Sequence, residues 1–467
     1  MLVVFVHGWS VTNTDAYGGL PEALAKNAPS SLDVTVEHLY LAKYVSFADE
    51  VTVDDIARGM QNAVNTEIAP KLSRGERFAC VTHSTGGPVV RQWIDLYYRN
   101  KLDKCPVQHL VMLAPANHGS ALAQLGKGRL ARMKFFTEGV QPGTGVLNWL
   151  ELGSDSSWDL NVSWLGYDAV GGGLYPFVLT GQSIDRKLYD NLNSYTGEAG
   201  SDGVVRVAAA NMNYGLIRLT QQDHGFVLSK EGKSAKTALG VLPGRSHSGT
   251  AMGVMASVPA DDDGAHPTLR WLLRCLGVNS ATGYNALVKE LDALTEKTQK
   301  DEKTTRKKAV FLMQRTFIVN RCCMFVFRLQ DDRGNNLNDY DVIFTAGPDY
   351  DENHLAPGFF KDRQRNQRNP GKLTYYIDYD VMAEWLAKPE LEGKFGFKIV
   401  ARPDSGFASY SYAEYRGTFA ALKRYFEPNQ TLMVDVQLKR HVVEGVFKLT
   451  QDLSPQYFGN QDKGEEI

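Results

Sequence analysis

The chain has 467 residues, and because single hydrophobic cores stop growing at roughly 250 to 300 residues, two domains are expected. Hydrophobic residues make up 43% and charged residues 22%, values that exclude a disordered chain and a membrane-embedded body. Basic (51) and acidic (53) residues nearly cancel, and a net charge of −2 gives no electrostatic ground for a nucleic-acid partner.

From Leu2 to about Val278, short β-branched runs alternate with longer helical stretches, which predicts an α/β fold with a mostly parallel sheet flanked by helices. Strands are expected at Leu2–Val6, Asp33–Leu39, Phe78–Thr82, His109–Ala114, Tyr175–Thr180 and Thr237–Leu242, with helices at Asp54–Leu72, Gly86–Arg99 and His266–Leu276. The first seven residues lack the basic start and cleavage site of a secretory signal, and no run of about 18 apolar residues occurs. A cytoplasmic origin is therefore expected, with any export by a leaderless route.

The rhythm breaks between Gly119 and Gly173, where Gly-rich and Trp-rich sequence carries short helical fragments. That stretch is expected to be an insertion in a first domain spanning 1–280. A charged helical connector is expected over 281–310, ending in the run Lys297 to Lys308. From 311 to 450, seven alternating strands predict an all-β, sandwich-like accessory domain, and 451–467 a flexible tail. The five cysteines have no metal-ligand spacing and the acidic clusters no calcium-loop spacing, so neither metal nor cofactor is expected.

The chemistry concentrates at Cys80-Val81-Thr82-His83-Ser84-Thr85-Gly86-Gly87, where an apolar strand runs into a helix. A serine at so sharp a turn is pushed outward, its neighbours must be small, and the helix N-terminus offers free N–H groups to a developing negative charge. The block resembles the nucleophile elbow of the α/β-hydrolase lipases and esterases, with Thr82 in place of the usual first glycine and Gly86 retained. His7-Gly8-Trp9, after the first strand, is similar to the oxyanion loop of the same family. The resemblance implies that the amides of Trp9 and Thr85 form the oxyanion hole, supported by His7 and Gly8. It implies also the chain order serine, acid, histidine.

Both His224 and His247 follow in that order; His247, just after a strand and before a small-residue helix, stands where the resemblance places the histidine loop, with His224, between hairpin strands, as its rival. Asp202, in Ser201-Asp202-Gly203-Val204, resembles the acid loop of bacterial lipases, with Asp185 as runner-up. His83 is expected to point away along its strand as a structural residue. The insertion over 119–173 resembles a lipase lid, and Arg129, Arg132 and Lys134, interleaved with Leu130, Met133, Phe135 and Phe136, would suit a peripheral contact with anionic membrane.

These motifs imply a serine lipase or phospholipase acting on lipid or other acyl esters through Ser84, Asp202 and His247. The competing expectations are a soluble carboxylesterase or thioesterase and a catalytically dead binding module. A hydrolase joined to a β domain is also similar to lipase effectors injected by type VI secretion, which would bring an immunity or delivery protein as partner.

Overall fold

The computed structural model describes residues 1–7, 14–40, 48–124, 143–184, 198–308, 314–402, 407–442 and 447, 449, 451 and 454. Six strands form a parallel sheet: β1 (Leu2–His7), β2 (Thr35–Tyr40), β3 (Phe78–His83), β4 (Val107–Leu113), β5 (Tyr175–Thr180) and β8 (Ala238–Val241). Their order is β2-β1-β3-β4-β5-β8, every adjacent pair parallel. The central strands are buried nearly throughout because helices cover both faces, which is why they read as unbroken apolar runs. The helices Val53–Ala63 and Gly86–Tyr98 pack on one face, and Leu20–Asn27 and Pro267–Leu276 on the other. This is the α/β-hydrolase arrangement.

Between β5 and β8 the chain leaves this sheet to make the hairpin β6 (Tyr214–Gln222) and β7 (Gly225–Lys233). The later strands are β9 (Thr304–Lys308), β10 (Gln314–Ile318), β11 (Cys322–Asp331), β12 (Asp339–Ala346), β13 (Phe360–Arg365), β14 (Lys372–Asp378), β15 (Lys394–Arg402), β16 (Ala408–Ser409), β17 (Ala413–Thr418), β18 (Thr431–Leu438) and β19 (His441–Val442). Nine strands join in the order β12-β15-β17-β7-β6-β18-β11-β14-β13, while β9 with β10 and β16 with β19 form small separate pairs. The nine-stranded sheet curls on itself. Phe344 of β12 lies 5.6 Å from Phe360 of β13 and 5.0 Å from Tyr375 of β14, although these strands lie at opposite ends of the order, and the enclosed core is sandwich-like.

Alternation along β11 divides two cores: Phe325 and Phe327 face the aromatic interior of the curled sheet, whereas Met324 and Val326 face the hydrolase layer. Two features differ from the sequence-based domain outline. The hairpin 214–233 lies within the expected first domain, yet β6 pairs in parallel with β18 over Tyr214–Thr220. The expected connector is a 21-residue helix, Ala281–Asp301, whose Tyr284, Leu287, Val288 and Leu291 are buried against β8 and its neighbours. Its high charge belongs to the opposite, solvent-facing stripe, so local composition concealed an amphipathic helix. The expected strand Val442–Leu449 and tail 451–467 lie largely outside the described residues. Among the described residues no helix is long and apolar enough to cross a membrane.

Candidate active site

At the end of β3 the backbone turns left-handed at Ser84, with φ +54°, a conformation a side-chain-bearing residue adopts only where its surroundings enforce it. Two hydrogen bonds do so: the Ser84 amide donates to the Leu113 carbonyl (2.9 Å), and the Ala116 amide donates to the Ser84 carbonyl (3.2 Å). The end of β4 and the segment that follows it thus grip the turn from both sides. Small residues are required beside it, since a Cβ on Gly86 would stand 2.8 Å from Cβ of Thr82, and one on Gly87 2.7 Å from Cβ of Pro115. Thr82 can replace the expected glycine because Gly86 opposite it has no side chain. Thr85 then opens the helix Gly86–Tyr98.

The serine hydroxyl lies 3.1 Å from Nε2 of His247, and Nδ1 of that ring lies 2.9 Å from Oδ2 of Asp202. A carboxylate only accepts, so Nδ1 carries the hydrogen and Nε2 is left to accept from Ser84. Asp202 is fully buried, and its Oδ1 also accepts from the amides of Val204 (3.0 Å) and Val205 (2.8 Å). Its own carbonyl receives the His247 amide at 3.0 Å, so the two loops are joined by main chain as well as by side chain. Gly203, with φ +98°, makes the tight turn that lets one carboxylate meet both amides.

The structure therefore brings Ser84, His247 and Asp202 together. His224 is elsewhere, in the β6–β7 turn, stacked at 4.7 Å on Tyr412 and 3.3 Å from that residue's carbonyl. Asp185, Gly8 and Trp9 lie outside the described residues, as does the side chain of His7, whose backbone closes β1. The basic and aromatic residues expected to form a lipid-binding helix, 129 to 136, also lie outside them. Of the described part of that insertion, Trp149, Trp158 and Trp164 are all buried in the core shared with the Gly86–Tyr98 helix.

His83 departs from expectation. Its Nε2 donates to the His247 carbonyl at 3.1 Å, and the two rings lie 4.6 Å apart. The alternation that would turn it away applies inside a regular strand, whereas the left-handed turn at Ser84 begins immediately after it. Burial, reinforced by the neighbouring His247, pushes its pKa well below the usual histidine range, so it is a neutral donor fixing the His247 loop. Only its position next to Ser84 could have signalled this contact.

No protein-family model matches the chain, and no curated protein sequence matches it significantly. Among solved structures, a phospholipase PlaB from Legionella pneumophila is 51% identical, with a TM-score of 0.91 over 100% of both chains. The same phospholipase in complex with thio-NAD is 50% identical, again with a TM-score of 0.91 and complete coverage of both. Identity at that level along the entire length of both chains establishes kinship as well as shared shape: the chain belongs to the PlaB phospholipase family.

Proposed function

We propose that this enzyme hydrolyses the acyl ester bonds of phospholipids, with Ser84 as nucleophile, His247 as general base and then general acid, and Asp202 as the group that orients the imidazole. The observation that carries the proposal is the hydrogen-bonded line from Ser84 through His247 to Asp202, on a backbone turn held from both sides. In the first step His247 takes the Ser84 proton as Oγ bonds to the acyl carbonyl carbon. Collapse of the tetrahedral intermediate expels the alcohol, which leaves with the proton held at Nε2. Water, deprotonated by the same nitrogen, then releases the fatty acid and restores Ser84.

The negative oxygen of the intermediate is assigned to the amides of Thr85, at the helix start, and Trp9. Loss of one such donor costs about 100-fold or more in rate. Phospholipid as substrate is supported by the kinship with a phospholipase. Parallel assays on phosphatidylcholine and phosphatidylglycerol vesicles, triacylglycerol emulsion and p-nitrophenyl esters, each with Ser84→Ala as control, test the reading. Fatty-acid release from the vesicles that vanishes in the variant is expected. Activity confined to short soluble esters would identify a carboxylesterase instead, and no Ser84-dependent hydrolysis of any substrate would leave the binding-module reading.

A further inference from the structure

The loop that carries Asp202 is closed at its base and fastened to the nine-stranded sheet. Its ends meet where the Val207 amide donates to the Gly200 carbonyl (2.9 Å) and where Ser201 and Arg206 form a bridge. Arg206, at that base, is fully buried. Its Nε and Nη2 fork onto Glu198 at 2.7 and 2.9 Å, its Nη2 also reaches Asp362 of β13, and its guanidinium lies 4.1 Å from the ring centre of Tyr376 on β14. The Tyr376 hydroxyl donates to the Ala199 carbonyl at 2.8 Å. Contact is so close that a Cβ on Gly200, which has φ +73°, would stand 2.5 Å from that hydroxyl.

The contacts with Asp362 and Tyr376 therefore join the loop's base to residues supplied 156 and 177 positions later in the chain. Asp202 sits four residues before Arg206, with no helix or strand of its own to hold it.

We infer that Arg206 and Tyr376 are positioning residues: by locking the base of the acid loop onto the curled sheet, they keep the Asp202 carboxylate on Nδ1 of His247. The curled sheet is then part of the catalytic apparatus and more than an appended module. A forked, stacked arginine suits this role, since its planar charge satisfies two carboxylates and an aromatic face in one fixed orientation. The inference rests on Asp202 being the acid of the triad.

Three variants test it, with p-nitrophenyl butyrate as a soluble substrate and circular dichroism as a check of folding. Asp202→Asn is the reference and lowers kcat by about 10⁴-fold. The combined Arg206→Met, Glu198→Gln, Asp362→Asn variant removes the clasp without stranding a buried charge. A drop in kcat of roughly ten- to a hundredfold is expected there, with KM little changed, because small misplacements of a catalytic group are costly. The acidic limb of the pH–rate profile moves to lower pH in the same variant, as a more distant carboxylate favours the imidazolium less. Tyr376→Phe keeps the ring and shifts both quantities in the same direction by less, and it decides the matter if the combined variant does not fold. Wild-type kcat and pH profile in the folded clasp variant, or in Tyr376→Phe should that variant not fold, would overturn the inference while a crippled Asp202→Asn left the triad standing. An unimpaired Asp202→Asn would overturn the triad reading itself.

Discussion

The two large sheets solve packing in different ways. In the parallel sheet, β-branched and aliphatic residues fill strands covered on both faces, and the segments that follow the ends of β3 and β8 present Ser84 and His247. In the curled sheet, the interior is a lattice of edge-to-face aromatic rings, among them Phe325, Phe327, Phe344, Tyr375 and Phe397, with centroids 5.0 to 6.1 Å apart along the chain of contacts. The first sheet sets out the proposed nucleophile and base by local strand-to-loop geometry. The second acts on the site at a distance, through buried polar contacts along the seam where Arg206 meets Asp362 and Tyr376. Chemistry and support are thus divided between sheets, although the chain crosses between them more than once.

The division is broken most severely at the nucleophile. Ser84→Ala is expected to lower kcat by roughly 10⁴- to 10⁶-fold. Thermal unfolding of that variant should stay within a few degrees of wild type, since a single oxygen at the surface of the turn is removed. A large loss of stability would mean that the elbow's strain is held by the hydroxyl and not by Leu113 and Ala116.

The opposite result is expected in the aromatic lattice. Phe344 touches Phe325, Phe327, Phe359, Phe360, Tyr375, Phe395 and Phe397, so Phe344→Ala should cost about 3 to 5 kcal/mol of stability. Denaturant unfolding measures this, and the kinetic pH profile of the fraction that remains folded should be unchanged. A moved profile would show that the lattice interior, as well as its seam, is coupled to the site.

Acid should weaken the hydrolase half through its buried histidines. Burial pushes His109 down to about 4 and His118 to about 3, each further lowered by a nearby arginine. Between these values and the ordinary histidine pKa of about 6.5 the unfolded chain binds protons that the folded chain refuses, so stability falls as pH drops through that window. His118→Asn should flatten the slope of unfolding free energy against pH between 6.5 and 4; an unchanged slope would place the proton uptake elsewhere.

The smallest effect concerns Lys372 of β14, buried over Trp158 at 4.5 Å and 3.0 Å from Asp155, where the insertion meets the curled sheet. Burial lowers its pKa to about 8 despite Asp155. A base depressed in the folded state costs stability in full below pH 8, and that cost fades as pH rises toward the unfolded value. Lys372→Met should leave the melting temperature unchanged or raise it slightly at pH 7, and should remove a rise in stability between pH 8 and 10, because a buried charge is often replaced by an apolar side chain without loss.

What could be read from sequence follows the same division. The parallel strands and the elbow were legible because their signals are local: apolar runs of five or six residues, and a serine between a strand and a helix. The resemblance singles out Asp202 by its Asp-Gly loop and His247 by its place after a strand, and the structure brings both to Ser84. The curled sheet was legible as a run of strands, while its recruitment of the hairpin 214–233 was not, because parallel pairing of β6 with β18 joins residues 217 positions apart and leaves no local mark. The buried face of the helix 281–301 was masked by its charged one. The clasp was equally hidden, since neither Arg206 nor Tyr376 belongs to a motif and their meaning arises only from contact.

The central claim, that the hydroxyl of Ser84 is activated by His247, is tested most directly by covalent labelling. Exposure of the full-length protein to a fluorophosphonate, followed by peptide mass spectrometry, should give one phosphonyl group per chain on the peptide containing Ser84. Labelling should be slowed by orders of magnitude in His247→Ala. A folded, hydrolytically active protein that carries the adduct on another residue, or none at all, would contradict the account.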